Sequence, residues 1–505
     1  MSAPAAPTAA GAAGGLAGRA AAGVLWTTGQ KWGARLFGLA TLALLTRLLT
    51  PADFGVVAIG LAIVPFLYLL SDLGFAAYLV QAESPTDRTL STAFWYSAAA
   101  GLVLAGGLWF AGPAVEALLG IDGSGTVISG FAPAALAVAL GSVPLAILRR
   151  RMAFGRLAAQ GLVAGVLGQL AAVALALLGA GAMALVAQTV VQQAAATLAA
   201  AVSARWRPRL AFDPREFRAM ARFGVNVVGV ELVAIGRAWA ENAIVALVLG
   251  VTGLGYLSIA QRLVQTAQDL GATSIVPVST VVFAQIRAGR ERLAAAYRRA
   301  QGMISLIVIP LMAMIVVAAP ELMALVFGAQ WDASADPARA YAVAGVLTLG
   351  ATLDHGLFLG LGRSGVWFAY GLAVDAVTVL VTWLLAPFGL LAIAIGFAGV
   401  ALAATLARWP LVARQLGTAW TMLAAPFVRA LAMGSLAVAG GLAAIALAAA
   451  LPGPARAAIA GAAVIAVSAL AARLLLPEAF AEARGLASRG LATVRRGRVP
   501  KERTA

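Results

Sequence analysis

No cysteine occurs in the 505 residues, histidine occurs once, and charged residues make up only 11% of the chain. The missing cysteine excludes disulfides, cysteine metal sites and thiol catalysis, and leaves the compartment open. A single histidine removes most acid–base schemes that a membrane-embedded enzyme could use. The chain also lacks an H-E-x-x-H, a P-loop and a nucleotide-binding domain. These absences point to a non-enzyme with no cofactor and no metal. Any energy source must then be an ion gradient, the membrane potential or the substrate gradient. Residues 1–20, rich in Ala, Gly and Pro, read as a disordered lead-in without the order of a signal peptide.

What fills the chain instead is apolar surface. Hydrophobic residues make up 62%, and mean hydropathy is +0.94. No soluble domain of this length could bury that much, so the solvent is lipid. A span needs about 20 apolar residues, and windows broken by Gly, Pro and charge give about fourteen of them. Their bounds are 24–49, 55–80, 89–112, 126–148, 158–179, 181–204, 222–250, 253–284, 297–319, 338–361, 364–386, 388–413, 423–450 and 455–476. At Gly179-Ala180-Gly181 and at Pro387-Phe388-Gly389 an apolar run too long for one crossing must reverse.

Arginine sits at every second connection. Arg149, Arg150, Arg151 and Arg156 follow the fourth segment, and Arg205, Arg207, Arg209, Arg215, Arg218 and Arg222 the sixth. Arg287, Arg290, Arg292, Arg298 and Arg299 follow the eighth, and a basic tail the fourteenth. The alternate connections carry Glu116 and Asp122, or Glu321, Asp332 and Asp336, or no charge. The positive-inside rule then places both termini in the cytoplasm. Net charge is +16. It is read as contact with anionic lipid headgroups, with no nucleic-acid partner.

The expected organisation is an N-lobe at 21–204, a cytoplasmic amphipathic linker at 205–221, a C-lobe at 222–413, two further helices at 414–476 and a basic cytoplasmic tail at 477–505. In the linker, Trp206, Leu210, Phe212, Phe217 and Met220 interleave with arginines, as in a short interfacial helix. A weak internal repeat supports two halves. Asp53-Phe54-Gly55-Val56-Val57-Ala58-Ile59-Gly60 aligns with Gly253-Leu254-Gly255-Tyr256-Leu257-Ser258-Ile259-Ala260.

Ionisable groups inside a span are costly and rarely face lipid, so each is a candidate site residue. Lys31 and Arg35 lie on one face of the first segment, and Glu231, Arg237 and Glu241 lie in the seventh. Arg262, Gln265 and Asp269 follow i, i+3, i+7 in the eighth, a stripe that needs a water-filled cavity or a polar partner helix. Arg262 is the best cavity candidate. Glu231, Asp269, Asp72, Asp354 and His355 are candidates for ion coupling. Plainer roles stand beside these. Lys31 can snorkel to the interface, and Arg237 and Glu241 can neutralise each other at i, i+4. Asp72 and Asp269 can cap helix ends or pair with loop arginines, and His355 can be a packing residue. Asp375 is a lone carboxylate in the eleventh segment.

Several stretches resemble bacterial polysaccharide transporters, in order along residues 20–420. Leu48-Leu49-Thr50-Pro51-Ala52-Asp53-Phe54-Gly55 is similar to their loop after the first helix. Ser71-Asp72-Leu73-Gly74-Phe75 is similar to the end of their second helix, and Arg149-Arg150-Arg151-Met152-Ala153-Phe154 to the loop after the fourth. Gly253 to Leu263 resembles the start of helix eight, and Phe327-Gly328-Ala329-Gln330-Trp331 resembles an outer loop. The chain is thereby identified as a Wzx-type oligosaccharide flippase of the multidrug/oligosaccharidyl-lipid/polysaccharide exporter superfamily. The resemblance implies an all-α integral membrane protein of about 14 transmembrane helices. They form two six-helix pseudo-symmetric lobes plus two C-terminal helices, with a V-shaped central cavity and alternating access. It also implies a place in the inner (plasma) membrane of a bacterial cell and an oligosaccharide on undecaprenyl pyrophosphate as cargo, with polysaccharide polymerase machinery as a partner. Arg35, Arg237, Arg262, Lys31 and Gln265 would then bind the pyrophosphate and sugars. The alternatives are an ion-coupled drug or metabolite exporter of the same fold, a lipid II flippase, and a membrane-embedded glycan polymerase or ligase.

Overall fold

Helices are the only elements a long apolar chain can put in lipid without leaving backbone groups unpaired, closed barrels apart. The computed structural model describes residues 37–82, 85–272, 283, 286, 289–361 and 363–485. No strand occurs among the described residues. Eleven of their helices are long and apolar enough to cross a membrane. The chain is a multi-pass, all-helical membrane protein.

The helices run α1 (Phe37–Leu48), α2 (Pro51–Asp72), α3 (Phe75–Gln81), α4 (Asp87–Leu119), α5 (Ser124–Gly130), α6 (Ala132–Arg150), α7 (Phe154–Leu177) and α8 (Met183–Ala204). They continue with α9 (Pro214–Ala272), α10 (Arg290–Leu322), α11 (Ala335–Gly360), α12 (Ser364–Leu385), α13 (Leu390–Leu416), α14 (Trp420–Leu447) and α15 (Gly453–Leu475). Local chemistry sets the starts. Thr50 and Asp53 form a reciprocal capping box, Asp53 Oδ2 accepting from Thr50 N at 2.9 Å, and Pro51 occupies the first position of α2. Thr86 and Thr89 cap α4 in the same way. Asp213 accepts from Arg215 N at 2.9 Å ahead of Pro214.

The seventh and eighth expected segments form one 59-residue helix, α9, broken only at Gly250. Gly250 has φ 74° and ψ 171°, a conformation reserved for glycine. Residues 24–36 of the first expected segment and 273–282 of the eighth lie outside the described residues. Both expected reversals are present, at Gly179–Gly181 and at the 3-10 turn Ala386–Phe388 before Gly389.

The chain divides into two compact units. One comprises residues 1–49 and 67–228; the other comprises 50–66 and 229–505. In the first unit Phe75, Leu79, Val143, Leu148, Ala200 and Met220 form a buried cluster. In the second, α14 and α15 pack on α10 through Ile309, Met433 and Ala472, and through Ala313, Ala437 and Ala460. Small residues at these contacts let the helices approach closely, which is what packing in lipid requires. Large apolar side chains point outward, among them Phe110, Leu178 and Leu447, as a lipid solvent demands.

The linker departs from expectation. Residues 205–213 are irregular, and helix begins at Pro214 as the first turn of α9 rather than as a separate interfacial element. The aromatic residues explain why. Trp206 packs on Phe94, Phe217 packs on Phe75 and Tyr96, and Met220 is fully buried. Arg209 pairs with Asp87 at 3.0 Å, and its carbonyl accepts from Trp95 Nε1 at 2.7 Å. Burial against the first unit competes with the lipid interface for the same side chains and wins. Leu210, at 93% exposed, and Phe212, at 50%, are left outward.

Candidate functional site

Three polar clusters lie among the helices of the second unit. The first is on α9 after Gly250. Gln261 Nε2 donates to Tyr341 Oη at 3.1 Å, and Gln268 Nε2 to the carbonyl of Gly345 at 3.0 Å, both on α11. These two glutamines therefore serve helix packing. Arg262 and Asp269 lie about 100° further round the helix, with Gln265 between them and the packing glutamines. Arg262 and Gln265 are exposed, and Gln265 Nε2 donates to Asp269 Oδ1 at 3.0 Å. Arg262 forms no ion pair among the described residues.

The second cluster centres on Arg237, before the break in α9. Its Nη1 donates to Glu241 Oε1 at 2.7 Å, and its Nε lies 2.9 Å from Asp375 Oδ1 on α12 without the alignment of a hydrogen bond. The pair within the helix was legible from the i, i+4 spacing. Asp375 is not a lone carboxylate, because α12 brings it to the same guanidinium. One cation faces two carboxylates, so the cluster carries a net negative charge when all three are ionised. Beside it, Glu241, Asn242, Gln261, Tyr341 and Thr382 help line a cavity of about 20 Å³, enough for a single water.

The third cluster is sealed. Asp354 on α11 sits 2.9 Å from Arg408 Nε on α13, with side-chain exposures of 0% and 3%. Tyr297 Oη on α10 donates to Asp354 Oδ1 at 2.6 Å. Three helices are tied through one carboxylate. A Cβ at Gly350 would meet the Arg408 guanidinium, so the guanidinium uses the room that glycine leaves on α11. His355 is next to Asp354 in sequence but about 100° away around the helix. It is exposed, and its ring packs at 6.1 Å on Trp367 of α12, near Phe358 and Tyr370. Asp354 and His355 form no pair among the described residues.

In the first unit, Asp72 accepts from Ala76 N through both carboxylate oxygens at 3.1 Å and caps α3. The break it spans has Leu73 at φ 45° and Gly74 at φ 73°. The arginines after α6 are also structural. Arg150 Nη1 donates to the carbonyls of Leu79 and Ala82 at the end of α3, and Arg151 Nη1 to Ala204 at the end of α8 at 2.7 Å. Cations there satisfy orphan carbonyls and the negative end of the helix dipole.

Lys31, Arg35 and the side chain of Glu231 lie outside the described residues. Arg408 was missed from sequence, although the rule that singled out Arg237 applies equally to an arginine within Leu390–Leu416. No group of three or more His, Asp or Glu placed to hold a metal occurs among the described residues.

Comparison with known proteins places these features in a family. Residues 44–336 match the model of a family described as polysaccharide biosynthesis protein. The succinoglycan biosynthesis transport protein ExoT of Rhizobium meliloti (strain 1021) is 28% identical over 69% of this chain and 70% of its own length. The teichuronic acid biosynthesis protein TuaB of Bacillus subtilis (strain 168) is 24% identical over 82% of this chain and 87% of its own. Among solved structures, the lipid II flippase MurJ in an inward closed conformation superposes with a TM-score of 0.71 at 14% identity. That match covers 90% of this chain and all of the other.

Proposed function

Because the chain belongs to the polysaccharide biosynthesis protein family, we propose that it flips a lipid-linked oligosaccharide from the cytoplasmic to the outer leaflet by alternating access. The carrier is undecaprenyl pyrophosphate. Its prenyl tail stays in lipid while the charged head group crosses through protein. Both termini and the arginine-rich connections face the cytoplasm, and a polymerase on the outer side takes up the delivered unit. The protein transports and does not catalyse.

The observation that carries this reading is the state of Arg262. Arg237 is held by two carboxylates and Arg408 by one, while Arg262 stands exposed on a polar face without a counter-ion among the described residues. An uncompensated guanidinium at membrane depth is costly unless it serves an anion, and it meets phosphate bidentately. Gln265, one turn on, offers an amide to sugar hydroxyls. Arg35 and Lys31 are assigned the same head-group role. Asp269 and Glu231 keep the assignment to ion coupling, whereas Asp72 and Asp354 are given structural ones.

The test is deletion of the gene in its native host. The expected result is lipid-linked oligosaccharide retained on the inner leaflet, with drug sensitivity unchanged. Sensitisation to cationic drugs with normal export of the glycan would overturn the proposal in favour of drug efflux.

A further inference from the structure

Three stretches singled out in the sequence, at 48–55, 253–263 and 327–331, converge. Pro51 and Gly55 of α2 cross Val251 and Gly255 of α9 at backbone contact. A Cβ on Gly55 would strike the carbonyl of Val251, and a Cβ on Gly255 would strike the carbonyl of Pro51. The crossing is reciprocal, and its two glycines are equivalent positions of the internal repeat. The third stretch supplies a ring. Trp331, in the 3-10 turn Ala329–Ser334 between α10 and α11, is fully buried. Its indole meets Phe54 edge-on at 5.2 Å and 89°, and Tyr256 at 6.0 Å and 85°. Phe54 and Tyr256 are the residues adjoining the two glycines, one on each helix. Ser334 Oγ donates to the Tyr256 carbonyl at 2.9 Å, tying the turn to the same crossing.

We infer that Trp331 is a latch that holds the α2–α9 crossing shut at the outer ends of these helices. The inference rests on the orientation proposed above, which puts the connections at 50 and at 323–334 on the outer side. Two features suit the turn to this work. The closest approach in the crossing is backbone against backbone at two glycines, so it is tight when closed. A single ring grips both helices beside it, and its release frees both at once. The turn is also irregular, running from the π-helical Met323–Phe327 through Gly328 at φ 107° into the 3-10 segment. Such a connector shifts without unwinding a spanning helix. Cargo release to the outer leaflet would then require the indole to leave Phe54 and Tyr256.

The native chain has no cysteine, so an introduced thiol is the only one present. Ala58 lies one turn below Gly55 on α2, half-buried beside Asn242 of α9. In intact cells, A58C is expected to react slowly with an externally added, membrane-impermeant maleimide. Adding Trp331→Ala is expected to speed that reaction about tenfold, the factor that two aromatic edge contacts support. Trp331→Phe should restore slow labelling. Unchanged labelling in the Trp331→Ala variant, with the protein at normal levels in the membrane and monodisperse on extraction, would overturn the latch. D122C, in an outer connection, tests the orientation separately. External labelling of D122C is expected in every background, and its absence would refute the orientation and the latch built on it.

Discussion

Asp354 and Arg408 form an ion pair at 2.9 Å with both side chains closed off from the surface. Neither group is available to cargo, and each justifies the burial of the other. Removing one partner strands a charge among apolar helices, which costs about 3–5 kcal/mol, whereas removing both is far milder.

Arg408→Leu alone is therefore expected to lower the thermal midpoint of the detergent-extracted protein sharply, and Asp354→Asn to lower it less. The double variant Asp354→Leu/Arg408→Leu should recover much of the loss. Thermal unfolding followed by size-exclusion chromatography measures all three. Equal stability of Arg408→Leu and the native chain would refute the assignment of this pair to structure.

A different outcome is expected at Arg237. Arg237→Ala leaves Glu241 and Asp375 facing each other without their shared cation. Export should fall about tenfold or more, in keeping with the roughly 1.5–3 kcal/mol carried by hydrogen bonds to charged groups. Asp375→Asn in the same chain should restore much of it by relieving the repulsion. If Arg237 instead contacts cargo directly, Asp375→Asn will rescue nothing.

Asp72 is assigned to the cap of α3. Asp72→Asn keeps an acceptor for Ala76 N and should leave export near normal. Asp72→Ala should cost about 1 kcal/mol of stability, the usual worth of an N-cap. An ion-coupling role would make Asp72→Asn as damaging to export as Asp72→Ala, and an export assay on the two variants separates the cases.

Much of the fold was legible because lipid imposes a simple code. Apolar windows, the glycines at 179 and 389 and the proline at 387 mark spans and reversals without reference to any partner. Contacts between distant helices were not legible. Nothing near Asp375 in sequence points to Arg237, and nothing near Asp354 points to Arg408, because each pairing is made only when the helices pack. Local spacing captured the Arg237–Glu241 pair and the Arg262–Gln265–Asp269 face, both properties of a single helix. It misled at the linker. Trp206, Phe217 and Met220 have the pattern of a lipid-facing stripe, but a protein surface was available to take them.

On the function proposed above, Arg262 engages an anionic head group in transit. The most direct measurement uses purified protein in proteoliposomes carrying lipid-linked oligosaccharide in one leaflet, with its arrival in the other followed over time. Arg262→Ala should slow flipping about ten- to hundredfold, and Arg262→Lys should recover only part, since a point charge replaces a bidentate donor. Flipping by Arg262→Ala at the native rate, in protein of native stability, would contradict the account.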